Sequence, residues 1–285
     1  MPTPGLSLVG FMNQAEAINH LRVSCVPTGP DDDATLTAEW NAAKATLGAP
    51  IPRAGNPTIQ PMPGAHQPHI QQLQQAAWAV PMFQGPWQAS TFHLIEIETL
   101  LAYQFTVGTT RAAPHYAGLP NPPTVDQLLP ICLPLAETVD LTHLSQHQFA
   151  QGRSIILKTK GLNFRILDQG LFQQANIFGI RVGPAFPIVQ VLRFNGRCYL
   201  HNGFHRAYCA RMAGATEMPC MLRDVGTADE VGIRTDGNTF PLALLESANP
   251  PTVGHFTQQR AHPVGLRAMT RILEISWADH VLPDE

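Results

Sequence analysis

Charge is the first thing this chain has little of. Asp, Glu, Lys and Arg make up 14% of its 285 residues, against about 25% in an average soluble domain. Apolar residues, at 44%, recur throughout, which excludes a disordered polar chain. No apolar run approaches the roughly 18 residues of a membrane span, so no membrane-spanning helix is expected. The opening MPTPGLSLVGFM has neither a basic start nor a long apolar core, and no signal peptide is expected from it. The five cysteines are odd in number and form no CxxC. That pattern excludes a zinc ribbon and a disulfide framework and fits reduced thiols in a cytoplasmic protein. There is no Walker A loop and no internal repeat.

Proline is plentiful, at 26 residues, which implies much irregular but packed structure. The length allows one large or two ordinary domains. The net charge of −3 is unevenly spread. Residues 151–225 hold ten basic side chains and three acidic ones, a local balance of +7. A basic segment in an acidic chain points to a small anionic ligand at a local site. It does not favour nucleic acid as a partner, because a long duplex wants a broad basic face.

The first 80 residues read as mostly helical. Helical spacing covers residues 10–26. A second helix begins at Asp32 or Asp33, with acids in its first turn, and stops at Gly48. A third spans residues 68–80. From Phe92 the pattern alternates: FHLIEIE reads as a strand, followed directly by LLAYQFTV. SIILKTK and LNFRILD read as a strand pair turning at Gly161. FPIVQVLRF, the turn Asn195-Gly196 and RCYLH form a hairpin, since Asn-Gly suits a type I′ turn. HRAYCARMAG is a helix ended by Gly214. EMPCMLRD is the strand after it, and residues 268–282 hold a closing strand.

Function concentrates in the corner Gly203-Phe204-His205-Arg206, where a strand gives way to a helix. A glycine there permits a sharp turn and close approach of a ligand to the backbone. The first amides of the helix lack intrahelical partners and attract anions. Arg206 can offer phosphate a bidentate fork, and His205 can donate to an oxygen or shuttle a proton. Glu96 and Glu98, two apart on a strand, share a face and are candidates to hold a Mg²⁺ ion carried by a nucleotide. Cys209 and Cys220 read as small apolar core residues.

The stretch IVQVLRFNGRCYLHNGFHRAYCARMAGATEMPCMLRD resembles the ParB/sulfiredoxin-like superfamily. A hairpin, a G-x-x-R corner opening a helix, an Ala-x-Gly end and a Pro-led strand occur in that order. FHLIEIETLLAYQFTV resembles that family's first box. The resemblance covers about a fifth of the chain. It implies an α+β fold with a mixed sheet and packed helices over residues 91–285, interrupted by an insertion at about 108–186. Residues 1–90 would then be a largely helical, Pro-rich elaboration. It implies a phosphate-bearing ligand, such as a nucleotide, gripped by Gly203, Phe204, His205 and Arg206. His205, Glu96 and Glu98 are the catalytic candidates if the protein is an NTPase or phosphotransferase. The alternatives are a non-catalytic binding or sensor module, and a nucleic-acid-acting component of a bacterial mobile-element or defence system. Phe204 stands where sulfiredoxins carry a catalytic cysteine and ParB proteins a glutamate, so neither chemistry carries over directly.

Overall fold

Local capping signals set the helix starts. In the computed structural model, which describes residues 2–27, 29–78, 85–135, 145–148, 154–159, 164–172, 177–184, 187–233, 239–268 and 271–276, strand β1 (Thr3–Ser7) leads to helix α1 (Gln14–Ser24). The Asn13 side chain caps α1 by accepting from the Glu16 N–H at 3.0 Å. After a short β2 (Cys25–Val26), Asp32 caps α2 (Asp33–Ala45) by accepting from the Thr35 N–H at 2.8 Å. Each cap satisfies an amide that the helix itself leaves open. Strand β3 (Ile59–Pro61), helix α3 (Gln67–Trp78), β4 (Thr91–Glu96) and β5 (Thr106–Gly108) follow, then helix α4 (Val125–Cys132). Next come β6 (Ser145–Gln148), β7 (Ser154–Thr159), β8 (Phe164–Phe172), β9 (Ile177–Pro184), β10 (Gln190–Phe194) and β11 (Arg197–Asn202). Helix α5 (Phe204–Met212), β12 (Glu217–Asp224), α6 (Ala228–Val231), α7 (Leu242–Leu245), β13 (His262–Leu266) and β14 (Arg271–Ser276) complete the chain. The fold is mixed α+β.

Four sheets are present among the described residues. A five-stranded sheet has the order β11-β10-β12-β4-β3, and a four-stranded one β2-β13-β1-β5. The others are β14-β7-β6 and the pair β8-β9. The expected hairpin is there. Asn195 (φ 49°) and Gly196 (φ 74°) both lie in the left-handed region that a type I′ turn requires. Gly203 (φ 102°) then turns the chain into α5, and β12 returns parallel to β10.

One expectation is corrected by register. SIILKTK and LNFRILD do not pair with each other: β7 pairs with β14 and β6, while β8 pairs with β9. Both stretches are apolar enough for any neighbour, and sequence adjacency alone suggested the wrong one. Gly161 lies outside the described residues. Strands from the first 90 residues also join sheets with later ones. Strand β1 sits between β13 and β5, and β3 pairs with β4, so the N-terminal region supplies strands to sheets shared with the rest. Leu8, Leu21, Leu36 and Leu73 accordingly lie in one buried cluster with Ile95, Leu101, Tyr199 and Phe240. In LLAYQFTV only the end is strand; Leu101 forms isolated bridges to Tyr199 and Thr252 instead.

Candidate functional site

The corner forms as its sequence implies, but its side chains go different ways. A Cβ on Gly203 would stand 2.9 Å from Val189 Cγ2. The glycine therefore serves the turn and a close contact with the strand beneath it. Phe204 is buried and meets the Tyr103 ring edge-to-face at 5.7 Å. Arg206 directs its Nη1 to the carbonyls of Ile131 and Cys132 at 3.3 and 3.4 Å. Those are the last carbonyls of α4, where the helix dipole favours a cation. Tyr116 fixes the same turn by donating to the Arg206 carbonyl at 3.0 Å.

His205 alone of the four faces a cavity, of about 340 Å³. The cavity lies between α1, the segment from Phe105 to Arg111, the first turn of α5 and the end of β13. His20, Phe105, Arg111, His205, Leu266 and Arg267 form much of its wall, and among the described residues no carboxylate lines it. Among the described residues, neither Arg111 nor Arg267 forms an ion pair. Arg267 donates from Nη2 to the Arg22 carbonyl at 3.2 Å.

The hydrogen bonding of His205 defines what the cavity wants. The Gly108 N–H donates to Nδ1 at 3.0 Å. A backbone N–H can only donate, so Nδ1 carries no proton. Burial first, then Arg111 and then Arg206, push the ring's pKa down to about 4, and it is neutral at pH 7. A neutral imidazole with a bare Nδ1 carries its proton on Nε2. Yet Nε2 lies 3.1 Å from Arg111 Nη1, which also bears only hydrogens. Two donors thus converge on one spot. A single acceptor oxygen standing beside the pair, in the cavity and within reach of both nitrogens, would let each donate to it instead of to the other.

Also in the wall, His20 meets Phe105 edge-to-face at 5.1 Å. Its Nε2 is buried without a hydrogen-bond partner, and burial pushes its pKa down to about 4.

The acidic candidates are elsewhere. Glu96 accepts from Arg53 at 2.6 Å and from the Thr58 N–H at 2.9 Å. Glu98 lies 3.7 Å from Arg211, which is roughly 7 Å further along α5 than Arg206 at ~1.5 Å per residue. Strand β4 ends at Glu96, so the two carboxylates do not share a strand face, and neither lines the cavity. His201 Nδ1 donates toward the Val231 carbonyl at 3.1 Å and lies 3.0 Å from the Tyr103 hydroxyl. Among the described residues no group of three or more His, Cys, Asp or Glu is placed to hold a metal ion. All five cysteines are free and buried. Burial is the main cause that pushes the thiols up, to about 11 for Cys132 and Cys198 and about 12 for Cys25. They lie in the core as thiols rather than thiolates.

His20, Arg111 and Arg267 carry no local signal in the sequence. They stand in a helix, a loop and a strand end, and only the four-stranded sheet collects them.

No known protein family, curated protein or solved structure matches the chain. The resemblance of the corner to the ParB/sulfiredoxin-like superfamily gains no support from these comparisons. No helix among the described residues is long and apolar enough to cross a membrane.

Proposed function

We propose that this protein binds a small phosphate-bearing molecule in the cavity between Arg111, His205 and Arg267, as a binding or sensor module without turnover. One observation carries the reading: the protonated Nε2 of His205 and the Arg111 guanidinium, 3.1 Å apart, both present donors to one point. An oxyanion resolves that conflict, and two guanidiniums, with no carboxylate in the wall among the described residues, supply its counter-charge. Of the corner residues first considered, His205 keeps a ligand role. Gly203, Phe204 and Arg206 build the turn that aims it. The order of hairpin, left-handed glycine, helix and parallel strand is what supports a ParB/sulfiredoxin-like ancestry, and the five buried free thiols suit a cytoplasmic setting.

Binding is favoured over an NTPase or phosphotransferase activity by the placement of the acids. Phosphoryl transfer needs a carboxylate at the phosphate for metal or proton handling. Glu96 and Glu98 are engaged by arginines away from the cavity. Calorimetric titration with inorganic phosphate tests the reading. Arg111→Ala is expected to weaken binding about ten- to a hundredfold, the loss of a charge-assisted hydrogen bond, with unfolding temperature little changed. Equal affinity in wild type and Arg111→Ala would place the anion elsewhere.

A further inference from the structure

Every charged group of the anion site donates hydrogen bonds, and none accepts them. The Gly108 N–H occupies His205 Nδ1 at 3.0 Å. A doubly protonated ring would turn two N–H groups against each other there, so the ring is neutral and Nε2 holds its proton. Arg111 Nη1 lies 3.1 Å from that Nε2, and a guanidinium donates only. Arg267 adds a second guanidinium to the wall. Its backbone N–H is held on the Ser24 carbonyl at 3.1 Å and its Nη2 on the Arg22 carbonyl at 3.2 Å. A Cβ on Gly108 would stand 3.5 Å from Arg111 Cβ and 3.7 Å from His205 Cε1, so the missing side chain leaves the floor beside both donors open.

Thr3, Ser24, Gln104 and Thr106 are neutral polar residues of the same wall. Hydroxyls and amides both donate and accept, so they suit an oxyanion with or without a proton. A carboxylate would choose between the two, because it accepts only and fixes a P–O–H group. Among the described residues none lines the cavity. The unpartnered His20 Nε2 is buried, so no ligand atom touches it in this conformation. A protonated oxygen turned toward Nε2 or Arg111 sets hydrogen against hydrogen. A singly charged phosphate also leaves one of the two guanidiniums without counter-charge.

We infer that the cavity selects a tetrahedral oxyanion that carries no proton: the dianion of a terminal phosphate, with sulfate as its isosteric equal. This rests on the anion-site reading above and adds the ionisation state that the site reads. Binding then follows the titration of the ligand, since a phosphate monoester takes up its second proton near pH ~6 and sulfate takes up none in that range. The protein's own titration works the other way. Burial first, then Arg111 from the segment after β5 and Arg206 on α5 itself, push His205 down to about 4. Gly108 of β5 contributes only its N–H. Tyr116 and Cys132, close to Arg206, are held protonated chiefly by burial, and Arg267 and His20 share the wall. Protonating either histidine would add positive charge and tighten every anion as pH falls.

Calorimetric titration of the intact chain with methyl phosphate and with sulfate, at about pH 7.5 and about pH 5, tests the inference. Methyl phosphate is expected to bind about tenfold more weakly at the lower pH, because its dianion falls to roughly a tenth of the total one unit below a pKa of ~6. Sulfate affinity stays within about twofold, and at the higher pH the two anions bind within about threefold of one another. Both weaken at least tenfold in Arg111→Ala. Methyl phosphate affinity that is equal at the two pH values, or sulfate that fails to bind where methyl phosphate binds, overturns the inference and leaves the anion site standing. A loss of sulfate affinity at low pH as large as that of methyl phosphate places the titration on the protein and overturns the inference too. Binding of neither anion at either pH overturns both readings.

Discussion

Arg206→Ala separates a ligand-gripping arginine from a helix-anchoring one. In the folded protein its Nη1 reaches the Ile131 and Cys132 carbonyls at 3.3 and 3.4 Å. Both contacts are long, which places each toward the weak end for a charged donor. A charged hydrogen bond contributes about 1.5–3 kcal/mol at good geometry, and a partly buried cation at a helix C-terminus up to about 2 kcal/mol. These overlap in one interaction, so the total loss is on the order of 2 kcal/mol. The Cys132 carbonyl keeps the Val189 N–H at 2.8 Å, which limits the damage. For a chain of 285 residues that corresponds to a fall of roughly 3 °C in unfolding temperature. Anion affinity should change only severalfold, because Arg206 does not line the cavity. Urea and thermal unfolding, run beside a phosphate titration, measure both. Undiminished stability together with lost phosphate binding would refute the reasoning and return the fork of Arg206 to the ligand.

Arg111→Ala should also raise the pKa of His205 from about 4, since Arg111 ranks next to burial among its depressing causes; a proton NMR titration of the ring reads this, and an unmoved pKa would show that the two groups do not face one another. Gly203→Val should cost more than about 1 kcal/mol, because φ is 102° and Val189 Cγ2 lies 2.9 Å from the new Cβ; a urea midpoint equal to wild type would contradict it. His255 is fully buried, accepts the Thr252 N–H on Nδ1 at 3.1 Å, and has its pKa pushed to about 4 by burial first and then by Arg260 and Arg211. Its folded pKa lies below the ordinary value of about 6.5, so the unfolded chain binds the extra proton, and stability falls as pH drops from about 6.5 toward 4. The ring contributes up to roughly 2 kcal/mol of the loss between pH 7 and 5, and His255→Leu should flatten the pH dependence of the urea midpoint by about that amount; an unchanged slope would show that the ring is not buried neutral.

Much of the local structure is legible in the sequence because its causes are local. Asn195-Gly196 forces a type I′ turn whatever surrounds it, since both φ values must be positive. Gly203 and Gly214 bracket α5 for the same kind of reason, at φ 102° and 86°. Asp32 finds its amide three residues on. Cys209 and Cys220 read correctly as core, because nothing near them in sequence could activate a thiol. Side-chain destinations are a different matter. Arg206 follows a turn glycine at an open helix start, and that position fits a phosphate grip as well as it fits an anchor. The carbonyls that claim it belong to residues 131 and 132, more than seventy positions away. Glu96 and Glu98 look paired in sequence and part company once β4 ends between them.

The sequence by itself determined the α+β class, the hairpin, the left-handed corner and the helix that follows it, because backbone conformation answers to neighbouring residues. Only the tertiary structure decided that β1 would lie between β13 and β5. That single placement carries Leu266 and Gly108 to opposite sides of one strand and sets His20, Arg111, His205 and Arg267 around a common cavity. The physical reason is that strand register is fixed by which apolar faces bury together across the whole chain, and no segment of the sequence contains that information alone.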